Sequence, residues 1–173
     1  AKHKGASLGL MGVRSISPEL ARCLAKTVSG QLDVGLIHLE TEVAQELVKF
    51  NGTHLGLNDA KTMTAEAAIA LGTFQGRIIG LNSISAITEP MARGLRNYKG
   101  EISFVGVRSF EPDAAVLFNG FKGRLVINFV SALPKATVGI LNHYKINYLV
   151  NKNLQRQFND HKQRLKENGK LLF

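Results

Sequence analysis

The chain has 173 residues, of which 45% are hydrophobic and 20% charged, a composition typical of globular rather than disordered proteins. No run of about 18 apolar residues and no secretory signal pattern occurs, which predicts a soluble protein without a membrane span. The single cysteine, Cys23, excludes an intrachain disulfide and favours a reducing compartment such as the cytoplasm. The net charge of +9 is compatible with an anionic partner, depending on where the charges lie.

Short strands are predicted at six places that follow one another every 23 or 24 residues. Each begins with Leu or Ile and has a second apolar residue two positions later, which is the alternation of a strand with one buried face. The starts are Leu8, Leu32, Leu55, Ile79, Ile102 and Leu125. A weaker seventh start lies around Ile146 and Tyr148. The regular spacing predicts repeated units that stack side by side.

A helix of about two to three turns is predicted after each strand, because Ala and Leu recur there at spacings of three and four residues. Hydroxyl side chains stand just before four helices, where they can cap free amide groups: Ser17, Thr41, Thr64 and Thr88. A column of aromatic residues near the end of each unit predicts an internal spine: Phe50, Phe74, Tyr98, Phe121 and Tyr144. Glycines close the units and are expected to take the left-handed conformation that ends a helix: Gly5, Gly30, Gly52, Gly76, Gly100 and Gly123.

This pattern of Leu-x-Leu strands, turns, Ala-rich helices and closing Lys-Gly pairs resembles the leucine-rich repeat family, in its irregular bacterial form. The resemblance implies an α/β fold: a right-handed solenoid of strand-turn-helix repeats with a parallel sheet on the concave face. It covers residues 1–145 as about six units, which leaves residues 146–173 as a last strand and a C-terminal capping helix. The asparagine ladder of the family is not expected, because apolar residues replace it: Val13, Leu36, Ala60, Ile84, Val107 and Val130.

Both ends of the chain allow two interpretations. The first residues, AKHKG, align with RNYKG at 96–100, so the chain begins as if within the last turn of a preceding helix. This indicates either a fragment of a longer repeat protein or a sheet edge that pairs with another chain. At the other end, Leu154, Phe158 and Leu165 share one helical face. That helix is interpreted as a cap on the core, or as an amphipathic helix awaiting a partner or an anionic membrane.

The outward face of the predicted sheet is the candidate binding surface, since a partner can contact several stacked repeats there at once. Its central contacts are predicted to involve His54, Asn58, Ile78, Asn82, Glu101 and Arg124. The middle residue of each strand is small, and this column is Gly9, Asp33, Gly56, Gly80, Ser103 and Val126. The column is interpreted either as a groove cleared for a partner or as a solvated face with inherited glycines. The predicted function is a non-catalytic scaffold that binds a protein partner.

Nucleic-acid or anionic-surface binding through the C-terminal segment is the alternative function. Residues 145–173 carry seven Lys and Arg against two acidic residues, a net charge of +5, whereas residues 1–144 carry fifteen against eleven, a net charge of +4. The basic side chains concerned are Lys152, Arg156, Lys162, Arg164, Lys166 and Lys170. Such binding would depend strongly on salt.

Catalysis, a metal site and a cofactor are not expected. The five histidines have no ligand spacing relative to one another, and the glycine-containing turns lack the residues of a phosphate-binding loop. Cys23 is interpreted as an unreactive, partly buried thiol, because no base lies beside it in the sequence. The sequence leaves the oligomeric state and the identity of the partner open.

Overall fold

The computed structural model describes residues 7–128, 133–143, 148–150, 156, 159–160, 163–164 and 166–167. Short strands and short helices alternate along these residues. The main sheet contains seven strands: β1 (Leu8–Leu10), β2 (Gln31–Val34), β4 (His54–Gly56), β6 (Ile78–Gly80), β8 (Glu101–Phe104), β10 (Arg124–Ile127) and β11 (Tyr148–Val150). The helices are α1 (Pro18–Thr27), α2 (Thr41–Leu47), α3 (Ala65–Leu71), α4 (Glu89–Leu95), α5 (Pro112–Leu117) and α6 (Lys135–His143).

The main sheet is parallel, and its strands lie side by side in the order in which they occur along the chain. Parallel neighbours need a crossover connection, and helices α1 to α5 each lie within one such connection. The α/β class with a parallel sheet is therefore confirmed. The right-handed leucine-rich repeat solenoid with a concave sheet stays a prediction.

The strand register confirms that the predicted starts are equivalent positions. Leu8 pairs with Leu32, and the same alignment continues through every strand to the pairing of Leu125 with Tyr148. A column in the repeat alignment is therefore a row across the sheet. The seventh strand, predicted around Ile146 and Tyr148, is present as β11 in this same sheet.

Two small sheets were not predicted. Strands β3 (His38–Leu39) and β5 (Thr62–Met63) pair with each other, as do β7 (Ala86–Ile87) and β9 (Ser109–Phe110). Each of these four strands has only two residues and ends beside the start of a helix, so its alternation of apolar and polar residues is too short to recognise in the sequence.

The core lies between the main sheet and the helices. In the third unit, Leu55 of β4 and Leu57 just after it are buried in the same core as Ala68 and Leu71 of α3. The predicted aromatic spine is confirmed for its described members, because Phe50, Phe74, Tyr98 and Phe121 are all buried. The rings of Phe50, Phe74 and Tyr98 stack with centroids 6.2 Å apart at each step. The fifth member, Tyr144, lies outside the described residues.

The predicted helix caps are correct at two of the four positions. Ser17 accepts a hydrogen bond from the amide of Leu20 at 3.3 Å, and Thr64 accepts one from Ala67 at 3.0 Å. Thr88 stands at the N-cap of α4 without a capping hydrogen bond from its side chain. Thr41 is the first residue of α2, and its hydroxyl hydrogen bonds that of Thr64 at 2.8 Å. Thr41 therefore lies one residue inside α2, and the N-cap position is taken by Glu40, whose side chain makes no capping hydrogen bond.

The predicted left-handed conformation of the closing glycines is wrong for the five that are described, and Gly5 lies outside the described residues. Among the described glycines, only Gly120 has a positive φ, of 76°. The closing glycines serve close approach instead, because a Cβ on Gly76 would overlap the Phe74 ring and lie 2.7 Å from the carbonyl oxygen of Gly52. The same kind of overlap with a spine ring and a neighbouring carbonyl applies to Gly52, Gly100 and Gly123. Close packing of adjacent units therefore selects glycine here.

The C-terminal cap is largely outside the described residues, including its predicted apolar contacts Leu154, Phe158 and Leu165. The described residues of this segment, such as Arg156 and Arg164, are helical and exposed. No helix in the described part of the chain is long and apolar enough to cross a membrane.

Candidate partner-binding face

The candidate site is the side of the main sheet opposite the core, and we call it the sheet face. Successive residues of a strand point to opposite sides, so the fully buried Leu55 and Ile79 mark the core side of β4 and β6. The sheet face comprises Gln31, Asp33, His54, Gly56, Asn58, Ile78, Gly80, Asn82, Glu101, Ser103, Arg124 and Val126.

Four of the six predicted contact residues form a row across adjacent strands. The register pairs His54 with Ile78, Ile78 with Glu101, and Glu101 with Arg124, each at the amino end of its strand. Since strands lie about 4.8 Å apart, the row is about 14 Å long. Arg124 is exposed, and the other three are half-buried.

The other two predicted contact residues, Asn58 and Asn82, lie beyond the carboxyl ends of β4 and β6, two residues after Gly56 and Gly80. Both are half-buried. They occupy the same position in adjacent units, so they form the start of a second row parallel to the first. The six predicted residues therefore form two short rows, one at the amino ends of the strands and one just beyond their carboxyl ends.

Glu101 and Arg124 bind each other across β8 and β10. The Arg124 Nε donates to the Glu101 Oε2 at 2.9 Å, and the Arg124 Nη2 contacts the same oxygen. The Arg124 side chain is 50% exposed and that of Glu101 is 22% exposed. An ion pair with this much solvent contributes at most about 1 kcal/mol to folding. Breaking the ion pair therefore costs little stability, and a charged group of a partner would compete for either side chain.

Asp33 fills the space above Gly56 on the neighbouring strand. A Cβ on Gly56 would overlap the Oδ1 of Asp33. The other carboxylate oxygen accepts a hydrogen bond of 2.6 Å from Gln31 Nε2, while His54 Nε2 lies 4.0 Å from Oδ1. Neither interpretation of the small column included this arrangement. The Asp33 side chain occupies the space beside Gly56, so the column is not an empty groove at this point.

Asn82 and Asn58 are equivalent in the repeat but differ in their hydrogen bonds. The Asn82 Oδ1 accepts from the Ser103 hydroxyl at 2.8 Å and from the Val105 amide at 3.3 Å. Asn58 faces Gly80, which is the residue that pairs with Ser103 in the register and has no hydroxyl to offer. The Asn58 Oδ1 is buried and has no hydrogen-bond partner among the described residues.

Three polar residues of the sheet face were not among the predicted contacts: Gln31, Asp33 and Ser103. Each belongs to the polar network, because Gln31 donates to Asp33 and Ser103 donates to Asn82. In the strand register Gln31 lies beside the predicted contact His54, whereas Asp33 lies beside Gly56. The available signal was the alternation of polar residues along β2 and β8. Hydrogen bonds between neighbouring strands, however, are not visible in a single unit of the repeat.

Other reactive side chains do not converge in the described part of the chain. No group of three or more His, Cys, Asp or Glu residues there could hold a metal ion. Cys23 is exposed, so the prediction of a partly buried thiol is wrong. Its position matches the half-buried Glu46 and the buried Ala70, and it is more exposed because α1 is the first described helix and has a neighbour on one side only.

Comparison with known proteins gave no match, either to a protein-family model or to a curated protein sequence. The resemblance to leucine-rich repeats therefore depends on the repeat pattern alone.

Proposed function

We propose that this chain is a non-catalytic scaffold of the leucine-rich repeat type, which binds a protein partner on its sheet face. A helix is about twice as wide as the spacing between strands, so a stack of such units curves with the sheet on the inside. The sheet face would then be concave and would offer a partner several units at once.

The observation that carries the proposal is the row of His54, Ile78, Glu101 and Arg124, held in register on four adjacent strands. It combines an aliphatic side chain with polar and charged neighbours, and protein interfaces likewise join apolar contact to polar, hydrogen-bonding contact. Because strand pairing fixes the backbone at these positions, the backbone needs little ordering upon binding. We expect Ile78 to supply apolar contact and the Glu101–Arg124 pair to supply selectivity.

The test compares two Ile→Glu substitutions on opposite sides of the molecule. Ile78→Glu places a charge in the row, whereas Ile69→Glu is the matched control on α3, where Ile69 is 54% exposed. Partners captured from a lysate of the source cells are identified by mass spectrometry. We expect a partner that wild type and Ile69→Glu retain and that Ile78→Glu loses by at least about tenfold.

A charge-swapped variant, Glu101→Arg with Arg124→Glu, tests the same face without breaking the ion pair. It should fold normally and still lose the partner, because the charges change places. The proposal would be contradicted if both face variants still captured every protein that wild type captures. It would also be contradicted if the Ile69→Glu control lost the same partner to the same extent.

Nucleic-acid binding by the C-terminal segment is the second proposal, and the net charge of +5 in residues 145–173 favours it. Arg156, Arg164 and Lys166 are exposed and helical, whereas Lys152, Lys162 and Lys170 lie outside the described residues. This proposal requires salt-sensitive binding to DNA or RNA that disappears when residues 152–173 are removed. Loss of a protein partner through Ile78→Glu alone would instead favour the sheet face.

A further inference from the structure

A cleft of about 470 Å³ lies at the closing turns that precede β6 and β8, and no residue of its lining belongs to the sheet face. Phe74, Gln75 and Arg77 line it from one turn, and Asn97 and Lys99 line it from the next, with glycines completing the walls. The volume falls within the range of sites for small molecules. The cleft is therefore large enough for a metabolite-sized ligand.

Positive charge is concentrated in this cleft. Arg77 and Lys99 are the charged residues of its lining, and both are exposed. No described carboxylate forms an ion pair with either side chain, since the nearby Glu101 is bound to Arg124. The lining has no acidic residue, so the two cations are available to an anion from outside.

The backbone carbonyl groups around the cleft are already engaged. The Gly76 carbonyl accepts the Tyr98 hydroxyl at 3.0 Å, and the Arg77 carbonyl accepts the Glu101 amide at 2.8 Å. The Gly100 carbonyl accepts the amide of Arg124 at 3.0 Å. A free carbonyl oxygen would repel an anion. These three oxygens instead accept hydrogen bonds from donors within the fold. An anion in the cleft would meet the cations and the Asn97 amide.

We propose that this cleft binds a small molecule carrying a phosphate monoester, with the phosphate between Arg77 and Lys99. A phosphate monoester has a charge of about −1.5 to −2 near neutral pH and so matches two cations, whereas a carboxylate would leave one of them unpaired. Guanidinium groups bind phosphate through two parallel hydrogen bonds, and the lysine ammonium binds it as a point charge. The rest of the molecule would lie against Gln75 and the glycines of the cleft wall.

Inorganic phosphate and glycerol 2-phosphate are the probes for this site. Each is titrated into the isotopically labelled chain at constant ionic strength, and amide shifts are followed by NMR. We expect saturable shifts centred on Gly76, Arg77, Lys99 and Gly100. Acetate, which carries a single charge, should bind at least about tenfold more weakly than phosphate.

Arg77→Gln and Lys99→Gln should each weaken phosphate binding about tenfold, and the double variant should abolish saturation. Lys61→Gln is the matched control, because Lys61 is exposed at the opposite end of the strands, before β5. It removes the same charge from the molecule and should leave the phosphate affinity unchanged.

The proposal is overturned if the phosphate shifts stay linear and equal those caused by sodium chloride. Equal weakening by Lys61→Gln would overturn it too, because a general charge effect would then explain the binding. Saturable binding of an oligonucleotide without binding of glycerol 2-phosphate would assign the basic turns to nucleic acid instead.

Discussion

At the scale of single residues, the polar network of the sheet face depends on which unit supplies a hydroxyl. Ser103 satisfies Asn82, whereas Gly80 leaves the buried Oδ1 of Asn58 without a donor. A buried acceptor without a partner costs about 1–3 kcal/mol. Ser103 next to Asn82 shows that the repeat geometry accommodates a serine at this position.

We therefore predict that Gly80→Ser is more stable than Gly80→Ala by about 1 kcal/mol, because only serine can donate to the Asn58 Oδ1. A Cβ at position 80 makes Asn58 shift, and both variants share that cost. Gly9→Ala is the control for replacing a glycine in this column, since nothing lies within 4 Å of a Cβ there. Urea unfolding measures the three variants. Equal stability of Gly80→Ser and Gly80→Ala would show that no hydrogen bond forms.

At the scale of elements, the aromatic spine joins one closing turn to the next. The Tyr98 ring stacks on Phe74, and its hydroxyl donates to the Gly76 carbonyl at 3.0 Å. Burial raises the pKa of Tyr98 well above its usual value, and the charge of Glu101 raises it further. The folded structure therefore stabilises the neutral, protonated form of the Tyr98 hydroxyl.

The raised pKa of Tyr98 makes stability depend on alkaline pH. Its contribution is complete below the pKa of an unfolded tyrosine, about 10, and is lost as pH rises above that value, since unfolding then releases a proton. We predict that wild type is about 1 kcal/mol more stable than Tyr98→Phe at pH 8 and that this difference shrinks by pH 11. Urea unfolding at several pH values checks it. A difference that stays constant with pH would argue against the assigned role of the hydroxyl.

At the scale of the whole molecule, each unit contacts mainly its neighbours along the chain. Successive helices pack together from α1 to α6, and successive strands pair from β1 to β11. Internal units are covered on both sides, so Leu55 and Ile79 are fully buried, whereas Leu8 and Leu10 of β1 are only half-buried. Stability should therefore decrease from the central units toward β1.

Hydrogen exchange measures this gradient directly. We predict that hydrogen-bonded amides of β4 and β6 exchange at least about 100-fold more slowly than those of β1, because β1 can open without exposing the central core. Mass spectrometry of peptides covering each strand would resolve the difference. Uniform protection of all strands would mean that the chain opens only as a single cooperative unit.

The amino-acid sequence by itself determined the repeat, the strand register and the buried columns. A strand-turn-helix unit cannot bury its own apolar face, so equivalent Leu, Ile and aromatic residues must stack on one another. Only the tertiary structure decided how the polar residues are used. Three contacts join residues of different units or of one turn: Glu101 with Arg124, Asp33 with Gly56, and Gly76 with the Phe74 ring. Such contacts depend on side-chain conformations across a strand spacing of about 4.8 Å, which no periodicity along the chain specifies.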